Sequence, residues 1–211
     1  MCKKYELITF DLDGTLLDTS PGIFNSVRYA EEQLGLDPIS DEKLKEFVGP
    51  PPKEMYMKIY GLDEKTAYKA AQKHREYGRS RAIYEAKLYP GIKELLETLR
   101  IQNYKLAVST LKAQGIAEAV LANFGISAYF DAIVGMDSAE SMTKCMTIKE
   151  AIKKTDTKGS VLMVGDSLYD YEGACQAVTD FVGVLYGFGF SPKKKYGFNT
   201  IFKPYDLTDL L

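Results

Sequence analysis

Residues 5–15 read Tyr5-Glu6-Leu7-Ile8-Thr9-Phe10-Asp11-Leu12-Asp13-Gly14-Thr15, and this stretch decides the fold. Residues 5–10 form a short, mostly apolar run that predicts a buried strand. The run ends in two carboxylates two residues apart and then a glycine turn. Like charges that close repel unless a cation or a proton lies between them. An acidic pair at a strand tip therefore points to a hard metal ion and an anionic substrate. A lone Asp-x-Asp would read as an acidic turn that merely ends a strand. Here matching residues recur downstream, in the order that one site needs.

Working outward, strand signals recur at residues 104–109, 132–135, 160–164 and 181–185, with a short edge strand at 199–202. Helical patterns lie between them. Ile92, Leu95, Leu96 and Leu99 follow the i, i+3, i+4, i+7 spacing. Ile116, Val120 and Phe124 mark a second helix, ended by Gly125. Met146, Ala151 and Ile152 mark a third. This alternation predicts an α/β fold, a Rossmann-like doubly wound parallel sheet with helices on both faces.

Residues 18–88 break the pattern with helix signals only. Pro21 suits a first helical turn, Gly35 stops that helix, and Ser40 could cap the next. Gly49-Pro50-Pro51-Pro52 must break the chain. Gly61 and Asp63 separate two further helices, the last running long toward Lys87. The expected organisation is an α/β core of residues 1–17 and 89–211, with an all-helical cap domain inserted at 18–88. The cap aromatics Phe47, Tyr56, Tyr60, Tyr68, Tyr77 and Tyr84 are expected to serve packing.

Of 211 residues, 45% are apolar and 27% charged, and 27 basic against 29 acidic residues leave a net charge of −2. That balance argues against nucleic acid or an anionic membrane surface as partner, and no apolar run approaches a membrane span. Lys3 and Lys4 precede an apolar run broken by Glu6 and Asp11, a poor signal peptide, so a cytoplasmic location is expected. Cys2, Cys145 and Cys175 form neither a disulfide framework nor a zinc site, and read as reduced thiols. His74 is the single histidine, which excludes any site built on two. Its neighbours Lys73, Arg75 and Glu76 predict a solvated helix face for it. Nothing in the sequence speaks to oligomeric state.

Parallel α/β sheets bind ligands beyond the carboxyl ends of their strands. The first strand ends at Asp11-x-Asp13, the second at Ser109-Thr110, and the fourth at Gly165-Asp166-Ser167-Leu168-Tyr169-Asp170. Lys144 starts the helix after the third. Four carboxylates, a hydroxyl pair and an ammonium at one rim make up the toolkit of phosphoryl transfer. Each has a duller role to set beside this one. Ser109 could simply end a strand, Lys144 competes with Lys149, Lys153 and Lys154, and Asp166 and Asp170 could cap the next helix.

Taken together, these four motifs resemble those of the haloacid dehalogenase superfamily, in the branch with a helical cap after the first strand. Tyr89-Pro90-Gly91, Gly49-Pro50-Pro51 and Val184-Leu185-Tyr186-Gly187-Phe188-Gly189 resemble its phosphoglycolate phosphatase and 5′-nucleotidase-like group less specifically. The resemblance implies Asp11 as nucleophile, forming an aspartyl phosphate, and Asp13 as general acid and then base. It implies Mg²⁺ held by Asp11, the Asp13 main-chain carbonyl and Asp166, with Asp170 in support. Ser109, Thr110, Gly14 and Lys144 would meet the phosphate. The substrate would be a small phosphorylated metabolite such as phosphoglycolate or a nucleoside 5′-monophosphate. Leu111 departs from the group, which commonly carries a small polar residue there.

A phosphosugar mutase of β-phosphoglucomutase type shares the same motifs. A dehalogenase would leave Asp13 and Asp166-x-x-x-Asp170 unexplained. A phospho-acceptor receiver domain, a signalling switch rather than a catalyst, has no long helical insertion after its first strand. The insertion is expected to act as a lid hinged at residues 18–20 and 89–91, with Lys53, Arg75, Arg79 and Arg81 as candidate contacts to an anionic substrate.

Overall fold

The computed structural model describes residues 4–139 and 141–211; Cys2 and Lys3 lie outside them. Its main sheet has six parallel strands. β1 (Leu7–Phe10) lies between β4 (Lys105–Ala113) and β6 (Val161–Gly165). β5 (Ala132–Met136) pairs outside β4, while β7 (Asp180–Val184) and then β8 (Asn199–Ile201) extend the sheet beyond β6. Phe10 stands opposite Val108 on one side and Val164 on the other. The chain leaves β1 for β4 and β5, then returns to β6 on the far side of β1. The strand order thus reverses beside β1, where parallel sheets open a binding crevice.

Side-chain alternation aims the site. Leu7 packs with Ala107, Val134 and Ala151, on the side of α7 (Lys144–Lys154). Ile8 and Phe10 pack on the opposite face, against α5 (Ile92–Ile101) and α6 (Gln114–Asn123). The period of two puts Thr9 and Asp11 on the face of Leu7, toward α7. α8 (Leu168–Ala177) packs beside α7. All four periodic residues of α5 are buried, as the spacing requires.

The inserted segment contains α1 (Ser20–Leu34), α2 (Asp41–Lys45), α3 (Pro52–Tyr60) and α4 (Glu64–Ser80). These helices enclose a core of their own, around Val27, Leu44, Phe47, Tyr56 and Ala70. Gly35 stops α1 in the left-handed region at φ 63°. The Asp63 carboxylate caps α4 by accepting the N–H groups of Lys65 and Thr66. Ser40 precedes α2 but makes no side-chain capping bond.

Three expectations need correction. First, the segment is not all helix: β2 (Leu17–Asp18) and β3 (Lys87–Leu88) pair antiparallel, so the chain enters and leaves through a two-stranded ribbon. Second, α4 stops at Ser80, and a 3₁₀ turn at Ala82–Tyr84 follows. Third, His74 is buried, not solvated. Ala67, Ala70, Ala71, His74 and Gly78 form the inner stripe of α4, and the His74 ring stacks on Phe47 with centroids 6.3 Å apart. Phe47 and Tyr56 serve packing as expected, whereas Tyr68 and Tyr84 are exposed. No helix among the described residues is long and apolar enough to cross a membrane. Cys145 is buried and Cys175 exposed, and neither is in a disulfide.

Burial pushes the His74 pKa down to about 3, and the charges of Lys112 and Arg75 add to that shift. A base whose folded pKa is depressed stabilises the fold above its unfolded value near 6.5, and that stability is lost as pH falls toward 3. At pH 5 the His74 share of the loss is about 2 kcal/mol. His74→Phe should therefore lose about that much less stability than the wild type between pH 7 and pH 5, read by urea unfolding. Equal losses would show that His74 is not held neutral by burial.

Candidate active site

Asp11 follows β1 directly, and its N–H bonds the Val164 carbonyl at 2.9 Å. Asp166 follows β6, the neighbouring strand. Asp170 sits in the first turn of α8, where its Oδ2 accepts the Ser167 N–H at 3.0 Å and the Ser167 hydroxyl at 2.7 Å in a capping box. All three side chains are buried, and one oxygen from each lies within 4.8 Å of the others. Asp170 caps the helix through Oδ2, while its Oδ1 lies 2.7 Å from the Lys144 ammonium.

Lys144 opens α7, whose N-terminus is capped by the Thr143 hydroxyl accepting the Met146 N–H. Its buried ammonium lies 2.5 Å from Asp11 Oδ1 and 2.7 Å from Asp170 Oδ1, and donates to the Ser109 carbonyl at 2.8 Å. Of its competitors, Lys153 is largely exposed and faces Glu150. Lys144 is therefore the lysine that meets the acids.

Three buried carboxylates face one ammonium, an excess of negative charge where water is scarce. Burial, and next the charges of Asp170 and Asp11, raise the Asp166 pKa well above the carboxylate range. Burial also raises Asp11, against the pull of Lys144 and with the push of Asp170 and Asp13. For Lys144, burial alone would lower the pKa, but Asp11 and Asp170 reverse it and the net shift is upward. An acid and its basic partner both shifted upward describe a lysine that stays charged and carboxylates that lack enough positive charge. Asp170 Oδ1 is near the ammonium but receives no aligned hydrogen-bond donor. Hard oxygen donors, excess negative charge and a buried carboxylate oxygen that no hydrogen bond satisfies fit a divalent cation such as Mg²⁺.

The remaining expected residues divide. The Asp13 side chain turns away from the acid cluster. It accepts a hydrogen bond from the Thr19 hydroxyl and pairs with Lys112 Nζ at 2.9 Å. Ser109 Oγ is buried, 2.8 Å from Thr9 Oγ1 and 3.4 Å from the Thr147 carbonyl. Thr110 Oγ1 accepts the Lys112 N–H at 3.1 Å, which leaves its hydroxyl proton to donate. Gly14 has φ +84°, and a Cβ there would overlap the Asp166 carboxylate, so its bareness makes room for an acid. Sequence reasoning missed Lys112, which belongs to no periodic pattern.

A cavity of about 590 Å³ opens beside Asp13 between the sheet and the inserted helices. Thr19 and Lys112 flank its acidic end; Phe47, Tyr68, Leu111 and Ile116 line the rest. Arg75 and Arg79 also border it. Lys53 instead pairs with Glu64 at 3.3 Å, and the Arg81 guanidinium sits over the Tyr77 ring.

The family model for haloacid dehalogenase-like hydrolases matches residues 8–184. A 5′-nucleotidase of Pseudomonas aeruginosa is 36% identical over 192 residues, covering 88% of this chain and 85% of its own. A phosphoglycolate phosphatase of Agrobacterium fabrum is 33% identical, covering 86% and 81%. Tyrosine-protein kinase PtkA of Mycobacterium tuberculosis is 34% identical over 87% of this chain, which spans 63% of that longer protein. Among solved structures, one described as a predicted phosphatase from Clostridium acetobutylicum superposes with a TM-score of 0.91 at 34% identity, covering 99% and 98%.

The charge excess has a measurable consequence. Asp166→Asn removes one buried negative charge, so the metal-free variant should melt a few degrees above the wild type. An acid with a raised folded pKa stabilises the fold below its unfolded value near 4, and that stability is lost as pH rises. The gap between variant and wild type should therefore widen from pH 5 to pH 8. Added Mg²⁺ should raise the wild-type melting temperature and leave the variant nearly unmoved. A variant that melts below the wild type at pH 8 and still gains from Mg²⁺ would contradict the charge-excess account.

Proposed function

This chain belongs to the haloacid dehalogenase-like hydrolases, and on that footing we propose that it is a Mg²⁺-dependent phosphatase of small phosphorylated metabolites. The observation that carries the reading is the buried set of Asp11, Asp166 and Asp170 around the single ammonium of Lys144. Family membership and the names of the phosphatase relatives support it.

The proposed chemistry follows from which groups are held and which are free. Lys144 binds one Asp11 oxygen and fixes the carboxylate's orientation, leaving the other oxygen to attack phosphorus. Asp166 and Asp170, with Asp11, would hold the cation, which when bound offsets the charge of the phosphoryl oxygens. Asp13 lines the cavity, where it can protonate the leaving oxygen. The product on the protein is an aspartyl phosphate at Asp11. Asp13, now deprotonated, takes a proton from the water that cleaves it. The Ser109 and Thr110 hydroxyls are the proposed phosphate donors; Ser109 also contacts Thr9 and the Thr147 carbonyl, and Thr110 also accepts the Lys112 N–H. The ammonium of Lys144 offsets charge on the transferring group.

Residues 18–88 are proposed to work as a cap, swinging on the β2–β3 ribbon and excluding bulk water when closed. Its helices supply the far wall of the cavity, so the cap would select the leaving group. That cavity is roomy for glycolate, and Phe47, Tyr68, Leu111 and Ile116 make much of its wall apolar. Of the two example substrates, these features favour a nucleoside 5′-monophosphate.

A second reading has one observation behind it, the likeness to PtkA: phosphoryl transfer from a nucleotide to a tyrosine hydroxyl. It ranks lower because one relative is named a 5′-nucleotidase and another a phosphoglycolate phosphatase, and Asp13 can take a proton from water. A phosphate-release assay over nucleoside monophosphates, phosphoglycolate and sugar phosphates, with and without Mg²⁺, decides between them. The panel should include ATP with a tyrosine peptide. Mg²⁺-dependent release from a monoester is expected. Isomerised sugar phosphate without release would instead make the protein a mutase, and a labelled peptide would make it a kinase. Asp11→Asn should lower turnover at least about 10³-fold with unchanged circular dichroism; wild-type rates in that variant would remove Asp11 as nucleophile.

A further inference from the structure

β4 does not run straight to its tip. Its pairing with β5 keeps one register through Ser109↔Val134, then resumes at Ala113↔Met136 after an irregular stretch. Three residues of β4, 110–112, lie opposite a single β5 residue, Gly135. A bulge of this kind re-aims side chains and is common beside functional sites. This one is firmly seated. Gln114 grips the partner strand, its Nε2 donating to the Ile133 carbonyl at 3.1 Å and its Oε1 accepting the Gly135 N–H at 2.6 Å. Gly135 has to be bare, since a Cβ there would lie 2.6 Å from the Lys112 carbonyl oxygen. Within the bulge, the Lys112 N–H closes onto Thr110 Oγ1.

The result of that distortion is the direction of Lys112. Its ammonium reaches both oxygens of Asp13, at 2.9 and 3.0 Å. Both side chains are largely withdrawn from solvent, at 16% and 6% exposure, so this is no loosely solvated surface pair. Thr19, just beyond β2, donates to the same carboxylate from the other chain direction. Asp13 is thus oriented from two sides, by the core through Lys112 and by the entry to the cap through Thr19.

We propose that Lys112 is a positioning residue for Asp13, aiming its side chain at the leaving oxygen and pairing, as seen here, with the carboxylate that remains once Asp13 has handed over its proton. The role rests on Asp13 acting as general acid, as set out above. Proton donation matters in proportion to how badly the leaving group needs it. An alkyl alkoxide must be protonated as the P–O bond breaks, whereas p-nitrophenolate leaves without a proton. In the first step, phosphorus passes from the ester oxygen to an Asp11 oxygen. The electron pair of the broken bond goes to the leaving oxygen, which takes the Asp13 proton in the alkyl case only. A residue that positions Asp13 should therefore show itself through the leaving group.

The experiment is a rapid-quench measurement of the first turnover, with Mg²⁺ saturating, on wild type, Lys112→Met, Lys112→Arg and Asp13→Asn. The two probes are p-nitrophenyl phosphate and the alkyl monoester that turns over fastest in the substrate panel. Lys112→Met should slow alcohol release from the alkyl ester about 10- to 100-fold. It should change the p-nitrophenolate burst rate less than threefold, which also shows that the variant is folded. Lys112→Arg, which keeps a cation within reach, should recover most of the lost rate. Equal slowing of both probes, or of neither, would overturn the role of Lys112 while leaving Asp13 in place, provided that Asp13→Asn is selectively slow on the alkyl ester. Should Asp13→Asn show no such selectivity, the general-acid reading fails and the role of Lys112 fails with it.

Discussion

Three carboxylates share one lysine at the centre of this molecule, and the rest of the arrangement serves that shortage of positive charge. Lys144 contacts Asp11 and Asp170, and among the described residues no ion pair reaches Asp166. Such a cluster is unfavourable in a low-dielectric interior unless further positive charge arrives. A fold maintains it because each acid is held by bonds made for other reasons. Asp166 Oδ2 accepts the Phe188 N–H at 2.7 Å, Asp170 completes a capping box, and the Asp11 main chain prolongs the β1–β6 ladder. The backbone thus presets the positions of these carboxylates before any cation is present, which is what preorganisation means for a charged site.

The sheet delivers these groups through its topology. β1 lies between β4 and β6, so the tips of both neighbours crowd Asp11. The reversal of strand order at β1 opens the crevice there, and the insertion leaves the core at the same edge. The groups of the proposed chemistry and those of the proposed selectivity come from different parts of the chain as a consequence. The acids and Lys144 belong to the sheet and its helices, whereas Phe47 and Tyr68 reach the cavity from the insertion. Asp13 and Thr19 lie where the two meet, joined by a direct hydrogen bond. Through that bond, movement of the inserted helices would be felt by the proposed proton donor.

The parts of this plan that could be read from sequence are those with a repeating signal or a rigid local one. Short apolar runs for the strands and the i, i+3, i+4 stripe of α5 marked the sheet and its crossovers, and acids at strand tips marked the cluster. His74 escaped because its inner stripe consists of small residues, Ala67, Ala70, Ala71 and Gly78, while charged neighbours on either side advertise solvent. A stripe of alanines at helical spacing is the signal that would have placed it. The β2–β3 ribbon has two residues per strand, too few to show a period. Lys112 was hidden for a different reason. A bulge breaks the alternation, so its direction depends on Gly135 and Gln114, more than twenty residues and two residues away, respectively.

The most direct test of the central claim is where a divalent cation binds. Crystals grown with Mn²⁺ in place of Mg²⁺ would show it by anomalous scattering. The account predicts one strong peak bounded by carboxylate oxygens of Asp11, Asp166 and Asp170, with the Lys144 ammonium outside the coordination sphere. No peak between those three side chains at saturating Mn²⁺, or a peak bound elsewhere while they stay empty, would contradict it.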